Sequence, residues 1–282
     1  MGAVARGPCQ MTTNAAFYTP KRRSSGGCGI LKEEAGVTFE GKRVIVTGAG
    51  RGLGAALAVV LADQGAEVML TGCNTENLTS LAESIRLRCD RKPQLRLLDM
   101  TDPSAVTLFA KGLRDEGRPL DILINNAAQW LPGRMDEHDA LAISQTIAAN
   151  VTGTLLLTRG LVPVLEKSGA GDIMTIVSIS GLPNARLQSA SIAFAASKQA
   201  QAAMNDGLRQ ELKGRPVRVQ AVFPPYLDDV SPLNAAAWNA PRGAGAHVTN
   251  RDIVETVIFA LSRPHHMSLA SIIIDSDNGG MF

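Results

Sequence analysis

The chain has 282 residues, 45% of them hydrophobic and only 4% aromatic, with 28 Lys and Arg against 26 Asp and Glu. This length and apolar fraction suit a large α/β domain with a substantial core and exclude a disordered chain. The net charge of +2 lacks the basic excess of a polyanion binder, so no nucleic-acid partner is expected. No run of about 18 apolar residues is present, so no membrane span is expected. Cys9, Cys28, Cys73 and Cys89 are scattered and suggest neither a metal site nor a disulfide framework.

Residues 1–36 differ in composition from the rest of the chain. They carry Arg6, Lys21, Arg22, Arg23 and Lys32 against Glu33 and Glu34, with frequent Gly, Ser, Thr and Pro and no amphipathic period. They read as a flexible basic tail. An organelle transit peptide, or a start codon upstream of the one at Met11, are the other readings of this stretch. A single domain is expected over 37–282.

From Val37 onward short apolar runs alternate with helical patterns. Lys42–Thr47 (KRVIVT) reads as a strand, followed by a Gly-rich turn and an Ala/Leu-rich helix over Gly54–Gln64. Further strands are expected at Glu67–Thr71, Gln94–Leu98, Asp121–Ile124, Asp172–Ile179, Val217–Phe223 and Ala270–Ile274. Long helices are expected over about Ala140–Leu165 and Ile192–Leu212. Near-continuous apolar strands separated by helices predict a Rossmann-like, doubly wound, seven-stranded parallel sheet with helices on both faces.

The turn after the first strand reads Thr47-Gly48-Ala49-Gly50-Arg51-Gly52-Leu53-Gly54. Glycines there let backbone approach a pyrophosphate, which then lies at the positive end of the next helix. Asp99 follows in an LDMTD segment, and Asn125-Asn126-Ala127-Ala128 follows the fourth expected strand. Then come Asn150 in NVTG, Ser197-Lys198, Pro224-Pro225 and the terminal Asn278-Gly279-Gly280. In this order, and with a TGxxxGxG turn, the chain resembles the short-chain dehydrogenase/reductase family from about Phe39 to Gly280.

The resemblance implies an oxidoreductase that binds a nicotinamide dinucleotide and a small-molecule substrate. It assigns Gly48, Arg51, Gly52, Leu53 and Gly54 to the phosphate turn. Asp99 and Met100 fall to the adenine end, Asn126 and Ala127 to the ribose, and Lys198 and Pro224 to the nicotinamide half. At the end of the second strand stand Gly72 and Cys73, where an Asp would bind the 2′-hydroxyl of NAD. With no acid there and with Arg51 in the turn, NADP(H) is the expected cofactor, NAD(H) being left open.

The family's catalytic Tyr stands four residues before the Lys, and here Phe194 occupies that place. Counting back by the family's usual spacing from Tyr to Ser lands on Gly181. Ser180 fits only if the intervening loop is one residue longer. Asn150 and Lys198 are retained, the Lys to bind ribose and the Asn to position a water in the proton relay. The two tyrosines of the chain are Tyr18 and Tyr226. Tyr226 reads either as a relocated acid or as an aromatic packed under its loop. Asp229 lies near the family's Thr for the nicotinamide amide, where a carboxylate accepts but cannot donate.

The expected function is therefore an atypical member of that family. It is read as an oxidoreductase with a non-standard proton donor (Tyr226, Asp228 or water), or as a non-redox cyclase, isomerase or lyase on the same scaffold. The alternative is a catalytically silent subunit or cofactor-binding regulator paired with an active homologue. A cytoplasmic location and a homo-oligomer, or a hetero-oligomer with a homologue, complete the expectations.

Overall fold

A computed structural model describes residues 38–276; the basic tail, Tyr18 and the Asn278-Gly279-Gly280 motif lie outside them. Seven strands form one parallel sheet: β1 (Arg43–Val46), β2 (Glu67–Gly72), β3 (Gln94–Leu97), β4 (Ile122–Asn125), β5 (Gly171–Ile176), β6 (Val217–Phe223) and β7 (Ser271–Ile273). Their spatial order is β3-β2-β1-β4-β5-β6-β7. The chain reverses its winding direction between β1 and β4, which makes their carboxyl ends the crevice where such sheets bind ligands. Strands β1, β4, β5 and β6 are buried along their whole length, as expected for a sheet covered on both faces.

Among the described residues eight α-helices connect the strands: α1 (Gly52–Asp63), α2 (Thr75–Cys89), α3 (Pro103–Asp115), α4 (Ala140–Ile147), α5 (Thr154–Glu166), α6 (Ile192–Glu211), the short α7 (Ala235–Trp238) and α8 (Asn250–Leu261). The expected helix over Ala140–Leu165 is α4 and α5 joined by a π-helical turn over Ala148–Gly153. The sequence expectation placed no elements at α2, α3 and α8, yet each starts at a side-chain cap. Asn74 accepts from the Asn77 N–H, Asp102 caps α3 ahead of Pro103, and Thr249 and Asp252 form a capping box. Leu157, Leu161 and Leu165 of α5 pack with Ile45, Leu123 and Ile173 in the core. The stretch from Ala140 to Glu166 is long and apolar enough to cross a membrane, and about a third of its most apolar window is buried in the fold.

One expected strand is too long. The strand expected over Asp172–Ile179 stops at Ile176 in β5, and a 3-10 turn forms over Ile179–Gly181. The Ser178 hydroxyl accepts from the Ser180 N–H at 3.1 Å and the Ile179 N–H turns to the Pro224 carbonyl at 3.0 Å. A serine side chain thus competes with the ladder and ends it.

Candidate active site

The Gly-rich turn is clamped to the end of β4 by one threonine. The Thr47 hydroxyl donates to the Ile124 carbonyl at 3.2 Å and accepts from the N–H groups of Asn126 and Ala127, each at 2.9 Å. The Asn126 amide donates to the Thr47 carbonyl at 2.9 Å. Gly48 has φ +64°, and a Cβ on it would sit 2.8 Å from the Ala127 Cα; one on Gly54 would run into the Gly48 carbonyl and the Asn126 amide. Both positions therefore demand glycine.

The crevice that results has a volume of about 830 Å³. Gly48, Arg51, Gly52, Leu53 and Gly54 line it, as do Asp99, Met100, Asn126 and Ala127. The N-terminus of α1 opens into it at Gly52, and no side chain caps that end. Its first N–H groups and helix dipole remain available to an anion. At the end of β2 the walls are Gly72, Cys73, Asn74 and Asn77. Burial first, and then the Asp99 charge, raise the Cys73 thiol above its ordinary value, so it stays neutral at pH 7. The Asp99 carboxylate accepts from the backbone N–H and hydroxyl of Thr101, at 2.8 and 2.7 Å.

Beside the crevice, α6 carries Phe194 and Lys198 one turn apart. Phe194 is buried, and Trp130 meets its ring edge-on with centroids 4.5 Å apart. The Lys198 ammonium lies 5.6 Å from the same ring and is only 3% exposed. It donates to the Ile176 carbonyl at 3.1 Å and to the Gln201 Oε1 at 2.9 Å. Burial alone lowers its pKa to about 7. Asn150, in the π-helical turn, has every polar group of its side chain committed. Its Oδ1 accepts from the Gln129 N–H at 2.7 Å, and its Nδ2 donates to the Gln129 carbonyl and the Ser197 hydroxyl at 3.1 and 2.9 Å. Asn150 thereby fixes the segment that presents Trp130.

Several sequence expectations change on this geometry. A Cβ on Gly181 would lie 2.6 Å from Val177 Cγ1 and 2.8 Å from the Lys198 carbonyl, so Gly181 is not a vacated serine position. The hydroxyl at the end of β5 is that of Ser178, half-buried and sixteen residues before Phe194. Tyr226 is neither packed under its loop nor turned into the crevice wall: it is 77% exposed and absent from that lining. Asp228 instead meets His247, with Oδ2 to Nδ1 at 3.2 Å. Pro224 and Lys198 lie outside the crevice lining; Pro224 supplies a carbonyl to the turn at Ile179.

Asp229 does line the crevice, near Gly52, and accepts from the Asn250 amide at 2.5 Å. Sequence reasoning missed Thr47, Ser178 and Gln201. A signal for Gln201 was available, since it lies three residues after Lys198 and so shares its helix face.

The profile of the short chain dehydrogenase family matches residues 42–240. The chain belongs to that family. An uncharacterized oxidoreductase of Staphylococcus saprophyticus is 31% identical over 239 residues, which cover 84% of this chain and 98% of the relative. Among solved structures, a short chain dehydrogenase from Escherichia coli complexed with NADPH superposes with a TM-score of 0.70 at 27% identity, covering 83% of this chain and 96% of that one. A metagenomic short-chain oxidoreductase in complex with NADP gives 0.68 at 27% identity, over 83% and 97%. L-Sorbose reductase from Gluconobacter frateurii, at 21% identity and a TM-score of 0.73 over 86% and 97%, shares the fold.

Proposed function

We propose that the chain binds NADP(H) in the crevice and works as an oxidoreductase whose reaction draws no proton from a tyrosine. One observation carries this reading: a glycine-built dinucleotide crevice adjoins an acid position filled by Phe194 and covered by Trp130.

The crevice fits the cofactor. Gly48 and Gly54 keep the turn free of side chains, and the uncapped end of α1 faces the place of a pyrophosphate. Arg51, Cys73, Asn74 and Asn77 surround the place of a 2′-phosphate, where no carboxylate stands at the end of β2. The relatives solved with NADPH and NADP support the same choice.

Bound NADPH supplies a hydride. Phe194 retains the volume of a tyrosine ring but has no proton to give, and Trp130 shields it from water. Loss of a positioned acid costs about 10²–10⁴ in rate, which disfavours unactivated carbonyls. An activated alkene suits the site better, because the carbanion left by hydride addition takes its proton from solvent. An iminium needs no proton at all. The half-buried Ser178 hydroxyl just after β5 is our candidate for orienting such a substrate.

Stopped-flow or steady-state NADPH oxidation with an enone, an iminium and an aldehyde tests this reading. Turnover of the first or second at least about tenfold above the aldehyde supports it; preference for the aldehyde sinks it. A second reading, a silent subunit paired with an active homologue, is favoured by Leu141, Ile147 and Leu155, which α4 and α5 leave exposed. Absence of any NADPH oxidation by the isolated chain, with co-purification of a Tyr-containing homologue, would select it.

A further inference from the structure

Gln201 is only 1% exposed, an unusual setting for an amide on a helix face. Its side chain bridges two groups on different elements. Oε1 accepts from Lys198 Nζ at 2.9 Å, and Nε2 donates to the Asn150 main-chain carbonyl at 2.7 Å. The direction of this bridge is forced, because a peptide carbonyl only accepts and an ammonium only donates. Gln201 is itself held: its main-chain carbonyl accepts from the Asn205 amide at 2.8 Å.

A water in the same gap would donate or accept at either end by rotating. The amide cannot, since its donor and acceptor are different atoms, and passing a proton would require its imidic-acid form. Lys198 therefore meets an amide where the family resemblance led to the expectation of a water-borne relay. On its other sides stand the Ile176 carbonyl and the Phe194 ring, neither of which exchanges protons.

We propose that Gln201 is a positioning residue that clamps the Lys198 amine against the end of β5 and closes its proton path toward the Asn150 helix. Lys198 then serves as a buried tether between β5 and α6 and does not relay protons. Burial has already brought its pKa to about 7, with no charged neighbour contributing, so the Gln201 Oε1 that accepts its hydrogen bond is the remaining polar support of its charged form besides the Ile176 carbonyl. This inference goes beyond the reading of the crevice and does not depend on nucleotide binding.

The test uses the full chain labelled with ε-¹³C,¹⁵N-lysine and no nucleotide, the Lys198 resonance being identified by its loss in Lys198→Met. Gln201→Leu removes the acceptor at similar volume, and the Lys198 midpoint is expected to fall by about one pH unit. Gln201→Glu keeps an acceptor and adds charge, and the midpoint is expected to rise by about one unit. Gln201→Ala admits water, and ammonium hydrogen exchange at about pH 6 is expected to accelerate at least about tenfold. If Gln201→Leu does not fold, Gln201→Met takes its place with the same expectation. Midpoints that agree among wild type, Leu (or Met) and Glu variants would overturn the clamp. Unchanged exchange in Gln201→Ala would overturn the closed path.

Discussion

Trp130 meets Phe194 edge-on, with ring centroids 4.5 Å apart and planes at 80°. Such pairs contribute beyond the area they bury, and the Phe194 ring keeps the start of α6 dry beside Lys198. Phe194→Ala removes the ring from a buried site and is expected to destabilise the protein by about 3–5 kcal/mol, measured by urea denaturation. A loss below about 1 kcal/mol would mean that the ring is not packed as described.

Phe194→Tyr probes the chemistry of the same position. It returns a phenol to the place where the family resemblance puts the acid, while Gln201 still holds Lys198. The single variant is expected to raise NADPH-dependent aldehyde reduction less than about tenfold, and Phe194→Tyr with Gln201→Ala is expected to exceed it clearly. Equal rates in the single and double variants would separate Gln201 from the proton supply.

Lys198 makes stability depend on pH in a defined window. Its folded pKa is lowered from 10.5 to about 7 by burial. Below about 7 both folded and unfolded chains hold the proton, so the cost of burying the charge is present in full. Between about 7 and 10.5 the unfolded chain binds a proton that the folded chain does not, so stability rises with pH. The stability of wild type relative to Lys198→Met is therefore expected to climb between about pH 6.5 and pH 9.5. Urea midpoints for the two proteins at several pH values check this; a constant difference would contradict it.

Gly54 has no room for a side chain between the Gly48 carbonyl and the Asn126 amide. Gly54→Ala is expected to cost about 1–3 kcal/mol of stability by overpacking and to weaken NADPH binding by about tenfold or more through displacement of the turn. Fluorescence titration and thermal denaturation read the two effects separately. Binding unchanged in a folded variant would place the nucleotide elsewhere.

Arg51 lies exposed at the entry of α1 and makes no side-chain cap there. Arg51→Ala is expected to weaken NADPH by about tenfold while leaving NADH within about twofold, the size of one lost charge-assisted bond. Equal losses for the two nucleotides would remove Arg51 from the 2′-phosphate site.

The sheet was legible because fully buried parallel strands such as RVIV and ILIN leave apolar runs bounded by turn residues, and the phosphate turn was legible because its glycines answer a steric need visible in sequence. The relay half was not. Asn150 and Lys198 stand in recognisable motifs, but what they touch depends on Gln129 and Gln201, whose roles emerge only when the π-turn and α6 pack together. Counting back from Phe194 lands on Gly181, where packing leaves no room for a side chain, and spacing along the chain carries no sign of that packing. Tyr226 illustrates the same limit: its neighbours in sequence lie near the crevice, yet its ring faces solvent.

The most direct measurement is an equilibrium titration of the full chain with NADPH and with NADH. Stoichiometric NADPH binding at least about tenfold tighter than NADH is the expected result. Tighter NADH binding, or no binding of either nucleotide by the folded chain, would contradict a crevice built for NADP(H).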